Sequence, residues 1–102
     1  MPDLSKTKSS FYRRLYVAHL IEQGVASVPA LINATGMPRR TAQDTIASLA
    51  ELDIECVFMK DEGERHNIGS YQIRDWGAID SRWVAANAPR LGATLGYSEK
   101  TF

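Results

Sequence analysis

A chain of 102 residues is enough for one domain and short for two. Its apolar content of 44% supports a packed core and excludes wholesale disorder, and a single cysteine, Cys56, excludes an internal disulfide. Twelve basic and twelve acidic side chains cancel, so the chain is not uniformly basic, and no apolar run is long enough to cross a bilayer.

Residues 1–9 are polar, with Lys6 and Lys8 and no periodicity, and read as a flexible N-terminal arm. Phe11 to Gln23 predicts a helix, with Ser9 or Ser10 as its cap and Gly24 at its end. Tyr16, Val17, Leu20 and Ile21 form one apolar face of it, and Phe11, Leu15 and Ala18 another. A helix apolar on two sides is sandwiched. One side is expected to meet the helices that follow, and the other the C-terminal helices or a second subunit.

Val25-Ala26-Ser27 suits a very short strand, and Ser27 an N-cap with Pro29 in the first helical turn. That second helix runs to about Ala34. Thr35-Gly36-Met37 breaks it, and Gly36 supplies the backbone freedom of a sharp turn. A third helix is expected from Pro38 to about Leu52, with Ala42, Ile46, Leu49 and Ala50 on one face and Arg39, Arg40, Gln43 and Asp44 on the other. Asp53 stands where a helix-ending glycine or asparagine is usual.

Ile54 to Lys60 alternates in a β-rich composition, Asp61 to Ser70 is a polar loop with glycines, and Tyr71 to Asp75 alternates again. Together they predict a hairpin. After Trp76-Gly77, Asp80 or Ser81 is expected to cap a helix through Ala86. Ala88 to Leu95 reads as a second short helix with Pro89 near its start, and 96–102 as a frayed tail. Trp76, Trp83, Leu91 and Leu95 are expected to pack.

Two short helices around a glycine turn, the second with a polar outer face, match the helix-turn-helix DNA reader. The full order of helix, short strand, helix, helix and two-stranded wing resembles the winged helix-turn-helix fold of bacterial transcription regulators. The resemblance covers roughly residues 10–76 and centres on ATGMPRRTAQDTIASLAELDI. Thr35, Gly36 and Met37 match the family's turn, and Thr41 matches a threonine early in its recognition helix. Ile46, Leu49 and Ile54 match its apolar anchors. The segment GSYQIRDWGAI is similar to a group of uncharacterised prokaryotic winged-helix proteins. The fold class expected is therefore α+β, mainly α: a three-helix bundle with a two-stranded wing over 10–76 and a C-terminal helical extension over 77–102. That extension packs on the domain or forms a dimer interface.

The resemblance implies sequence-specific binding of double-stranded DNA by a transcriptional regulator, with the 38–52 helix in the major groove. Arg39 and Arg40 suit phosphate or guanine, Gln43 suits adenine, and Thr41 suits phosphate or base. Asp44, Thr45 and, at the base of the hairpin, Lys60 are further candidates, with Arg65, His66 and Asn67 in the wing. Departures from the pattern are Pro38 in place of a capping serine, Asp44, which needs Arg40 one turn earlier to offset it, and Asp53. The wing's Asp61, Glu62 and Glu64 are a poor phosphate clamp.

Charge is unevenly spread. Residues 1–45 hold six basic and three acidic side chains, residues 46–64 one and six, and residues 65–102 five and three. One face can be positive despite zero net charge. The acidic block favours an alternative, a winged helix used for protein–protein contact with weak or lost DNA binding.

His19, His66 and Cys56 lack metal-ligand spacing, GMPRRT lacks the Walker spacing, and no nucleophile–base set stands in a local motif. We expect no enzyme activity, no metal or cofactor and no small-molecule ligand. The partners expected are double-stranded DNA and a second copy of the chain, because one such module gives a small interface and a two-fold site doubles it. The N-terminus MPDLSKTKSS carries no apolar leader, and the lone cysteine fits a reducing compartment, so a cytoplasmic location with no membrane contact is expected.

Overall fold

A computed structural model of the chain describes residues 5–60 and 69–97. In order it contains α1 (Lys6–Glu22), α2 (Val28–Thr35), α3 (Arg39–Ser48), a 3₁₀ turn (Leu49–Leu52), β1 (Glu55–Lys60), β2 (Gly69–Asp75) and α4 (Ser81–Leu95). The α+β, mainly helical architecture expected from the sequence is present. Leu15, Val17, Leu31, Leu49, Ile54, Val84 and Leu91 are fully buried at its centre.

The first helix starts earlier than its apolar pattern indicates. Ser5, not Ser9 or Ser10, is the cap, and its hydroxyl accepts a hydrogen bond from the Lys8 amide at 3.0 Å. Residues 6–9 of the expected arm are thus the first turn of α1. Residues 1–4 lie outside the described residues. Both apolar faces of α1 are used within the chain: it packs against α4, α3 and β2, and Leu15, Ala18, Tyr16, Val17, Leu20 and Ile21 are buried with Phe11 half-buried. No second subunit is needed to cover it.

Ser27 caps α2 by accepting from the Ala30 amide at 3.1 Å. At the other end Gly36 takes a left-handed φ of 79°. Thr35 closes the turn, donating its hydroxyl to the Leu31 carbonyl at 2.7 Å and accepting from the Met37 amide at 3.1 Å. Met37 is buried beneath the turn. Pro38 sits just before α3 with extended ψ, and no side chain caps that helix. The expected helix to Leu52 tightens into the 3₁₀ turn after Ser48. Asp53 then takes the left-handed conformation (φ 61°) that a glycine usually supplies.

The two strands are antiparallel, with Phe58 opposite Tyr71 and Lys60 opposite Gly69. Ile54, expected to open the first strand, is buried just before it. Gly69 and Ser70, read as loop, begin β2. A Cβ at Gly69 would collide with the Met59 carbonyl, so glycine fits that closely paired position. Val25–Ser27 is not a strand. The Ala26 carbonyl still joins the sheet, accepting from the Tyr71 amide at 2.8 Å.

The two short C-terminal helices expected are a single α4. Asp80 caps it, accepting from the Arg82 amide at 2.9 Å, and that bond holds the Asp80 carboxyl below its usual range. Pro89 lies inside the helix. It removes one backbone donor, but Pro89 and Ala85 one turn earlier are both exposed, so water can reach the freed carbonyl. The stripe Val84, Ala88, Leu91 and Gly92 runs through both halves and packs on α1, which favours one continuous helix. Gly96 (φ 79°) ends it, with the Tyr97 amide bonded to the Gly92 carbonyl at 2.9 Å and the Gly96 amide to Ala93 at 3.1 Å. Tyr97, read as frayed tail, stacks on Tyr16 with ring centroids 5.9 Å apart. Residues 98–102 lie outside the described residues. Trp83, expected to pack, is 43% exposed.

Candidate nucleic-acid interface

The position of α3 follows from its buried stripe. Ala42, Thr45 and Leu49 face inward, with Ile46 half-buried beside them. Arg39, Arg40, Gln43, Asp44 and Ala47 are therefore left outside, forming an exposed ridge. The glycine turn and buried Met37 fix where this ridge begins.

Charge on the ridge is only loosely self-compensated. Arg40 Nε lies 3.8 Å from Asp44 Oδ2, at i and i+4, with side chains 91% and 75% exposed. Such a pair stabilises by about 0.3–0.5 kcal/mol and is easily exchanged for a phosphate. Arg39 has no ion-pair partner among the described residues.

Two depressions flank the ridge. On the side of α1 is a polar cleft of about 280 Å³, whose walls include Ser10, Arg13, Arg14, Thr41 and Asp44. On the side of the hairpin is a more apolar groove of about 450 Å³, lined by Gln43, Ile46, Ala47, Ile54, Cys56 and Tyr71. Beyond it the hairpin exposes Phe58 and Met59, with Phe58 edge-on to Tyr71 at 5.0 Å. Burial pushes the Cys56 thiol pKa up, so at neutral pH it is an uncharged, poorly reactive wall of this groove.

The structure separates the sequence-derived candidates. Arg39, Arg40, Gln43 and Asp44 are exposed together, and Thr41 is half-buried at the lip of the polar cleft. Thr45 does not belong with them. It is 6% exposed and its hydroxyl is spent on the Thr41 carbonyl at 2.7 Å, because its position falls on the core side of the helix. Lys60 is exposed at the end of β1, at the far end of the strand from the groove. Arg65, His66 and Asn67, with the acidic Asp61, Glu62 and Glu64, lie outside the described residues.

Three residues outside the recognition helix shape the site. Arg14 crosses from α1 to donate to the Ser48 hydroxyl at 2.8 Å and lies 3.7 Å from Glu51. Ser48 in turn donates to the Thr45 carbonyl at 2.9 Å. Arg13 donates from Nε to the Tyr97 hydroxyl at 3.2 Å. Sequence reasoning misses Tyr97 because its partner Arg13 lies 84 positions away. The available signal was Gly96 followed by an aromatic residue, the pattern in which a helix ends and packs its next side chain back.

Among the described residues no three His, Cys, Asp or Glu side chains gather as metal ligands, and no helix is long and apolar enough to cross a membrane. Residues 6–95 match the family model described as winged helix-turn helix. A crystal structure of a DUF2131 family protein from Shewanella amazonensis SB2B is similar over 93% of this chain and 91% of that one, with 45% sequence identity and a TM-score of 0.86. No curated protein matches the chain.

Proposed function

Because this chain belongs to the winged helix-turn-helix family, we propose that it binds double-stranded DNA sequence-specifically and acts as a transcriptional regulator. The observation that carries the reading is the ridge of α3, which leaves Arg39, Arg40 and Gln43 exposed on one side of a helix seated through buried Ala42, Thr45 and Leu49. Laid in a major groove, a guanidinium from the first turn bonds guanine or phosphate and Gln43 bonds adenine, each good bidentate pair adding ~1–3 kcal/mol of discrimination. Thr41, at the helix flank, contacts backbone or base. Asp44 restrains Arg40 until DNA is bound. Lys60, Arg65, His66 and Asn67 supply outer contacts. The mechanism is binding without catalysis, in the cytoplasm.

A two-fold site read by a homodimer would double the small interface of one module. With the apolar faces of α1 buried, the surface offered to a second copy is the one around exposed Trp83, where Arg90 lies 5.7 Å from both the Trp83 and Tyr12 ring centroids. The direct experiment is selection of bound duplexes from a random pool with purified protein. An enriched, often palindromic motif is expected, and an unenriched pool contradicts the reading.

One observation favours a second reading, a protein–protein module. The groove beside α3 is apolar, Phe58 and Met59 are exposed next to it, and residues 46–64 are strongly acidic. Binding that is insensitive to salt separates this reading from DNA recognition, which must release counterions.

A further inference from the structure

We infer that the polar cleft between α1 and α3 is a seat for one backbone phosphate, occupied by Arg13 and positioned by Tyr97. The inference rests on the DNA-binding reading and adds a contact from outside the recognition helix.

An α-helix about 10–12 Å across fills a major groove about 12 Å wide, so the phosphate strands pass along its flanks. The cleft lies on one such flank, because Thr41 and Asp44 in its wall are one helical turn apart and adjoin the exposed ridge. Its opposite wall comes from α1 and brings Ser10, Arg13 and Arg14. About 280 Å³ leaves room for a phosphate group and water.

The two arginines are not equivalent. Arg14 donates to the Ser48 hydroxyl and has a carboxylate, the exposed Glu51, 3.7 Å away. Arg13 has no ion-pair partner among the described residues, and its Nε donates to the neutral Tyr97 hydroxyl. That bond uses Nε and leaves the two terminal nitrogens, the fork that grips a phosphate, available. Arg13 is half-buried, lines the polar cleft and is held at Nε by a phenol, an arrangement that suits an oxyanion. Asp44 opposes an anion from the same cleft, and its pairing with Arg40 reduces that repulsion.

Tyr97 is a positioning residue, and its own place is determined by α4. The glycine-ended helix turns its backbone amide to the Gly92 carbonyl, and its ring stacks on Tyr16. Tyr16 in turn reaches α4 at Gly92, where a Cβ would stand 2.8 Å from the tyrosine hydroxyl. The C-terminal helix thereby aims an arginine of the first helix.

The test is the salt dependence of binding to a selected duplex by the full chain, compared for parent, Arg13→Gln, Arg13→Lys and Tyr97→Phe. For Arg13→Gln the slope of log K against log salt is expected to flatten by about 0.9, one phosphate contact, with affinity lost equally for cognate and unrelated duplexes. Arg13→Lys should restore most of the slope. Tyr97→Phe keeps the ring stack but frees the arginine, and its slope should fall between parent and Arg13→Gln. A purely structural role for Tyr97 would change melting and leave the slope alone. Titration with inorganic phosphate, followed by amide shifts at residues 10–14, tests the other source of the same oxyanion. Phosphate saturating those shifts while all slopes stay at the parent's value would make the cleft a free-anion site and overturn the inference. A steep parental slope retained by Arg13→Gln and Tyr97→Phe would also overturn it and leave DNA binding standing. A parent that binds no duplex overturns both.

Discussion

Thr45 and Arg14 illustrate how far a side chain's identity is from its role. Both carry groups that suit DNA. Thr45 points inward and bonds the Thr41 carbonyl, while Arg14 fastens α1 to Ser48 at the end of α3. Their sequence neighbours Asp44 and Arg13 face the cleft with less internal commitment. A one-residue step rotates a helical side chain by about 100°, which follows from 3.6 residues per turn. His19 offers a test at this scale. Burial lowers its pKa, with Glu22 pulling weakly the other way. The unfolded chain therefore takes up a proton near pH 6.5 while the folded chain still resists it. Stability is fully present above that pH, falls as pH drops towards the folded pKa, and then levels. The urea midpoint of the parent should decrease between pH 7.5 and 5.5, and His19→Gln should lose that part of the decrease. An identical decrease in the variant would remove His19 from the explanation.

Element by element, the sequence makes the helix-turn-helix legible because its signals are local. Ser27, Gly36 and the Ala42–Leu49 spacing each act within a turn or two of chain. The hairpin is legible for the same reason. The ends of elements are less so. Ser5 wins over Ser9 and Ser10 because α1 is extended by polar residues that carry no apolar period. Pro89 reads as a break, yet one buried stripe spans it and outweighs a local cost of about 3 kcal/mol. That stripe can be tested at Gly92. Replacement by alanine gains ~1 kcal/mol of helix propensity. It also forces a methyl against the ring of Tyr16, which is confined between Gly92 and Tyr97, and overpacking costs about 1–3 kcal/mol. Gly92→Ala should be net destabilising by about 1 kcal/mol in urea unfolding. A more stable variant would mean that α4 can slide away from α1 at no cost.

For the whole molecule, zero net charge conceals a division that the fold turns into geometry. The basic N-terminal half supplies both walls of the polar cleft, and the acidic 46–64 block leads into the hairpin beyond the apolar groove. No sequence pattern announces that Arg13 and Tyr97, 84 positions apart, meet through a hydrogen bond. That contact exists only after α4 has folded back along α1. The same packing bears on assembly, since it removes the second face of α1 as a dimer surface and leaves the region of Trp83. Sedimentation at micromolar concentration should give twice the mass of one chain for the parent and a single-chain mass for Trp83→Ala. A monomeric parent would contradict the two-fold model.

The most direct test of the central claim, that α3 reads DNA, is fluorescence anisotropy on the selected duplex across a salt series for the parent and for Arg39→Ala with Arg40→Ala. Both side chains are exposed, so the free energy of unfolding of the double variant in urea should stay within about 0.5 kcal/mol of the parent's. The parent's affinity should fall steeply with rising salt. With ~1–3 kcal/mol lost for each arginine, the double variant should bind the selected site about a hundredfold or more weakly and no better than unrelated duplex. A folded double variant that binds the selected site as tightly as the parent would contradict the assignment of α3 as the reading helix.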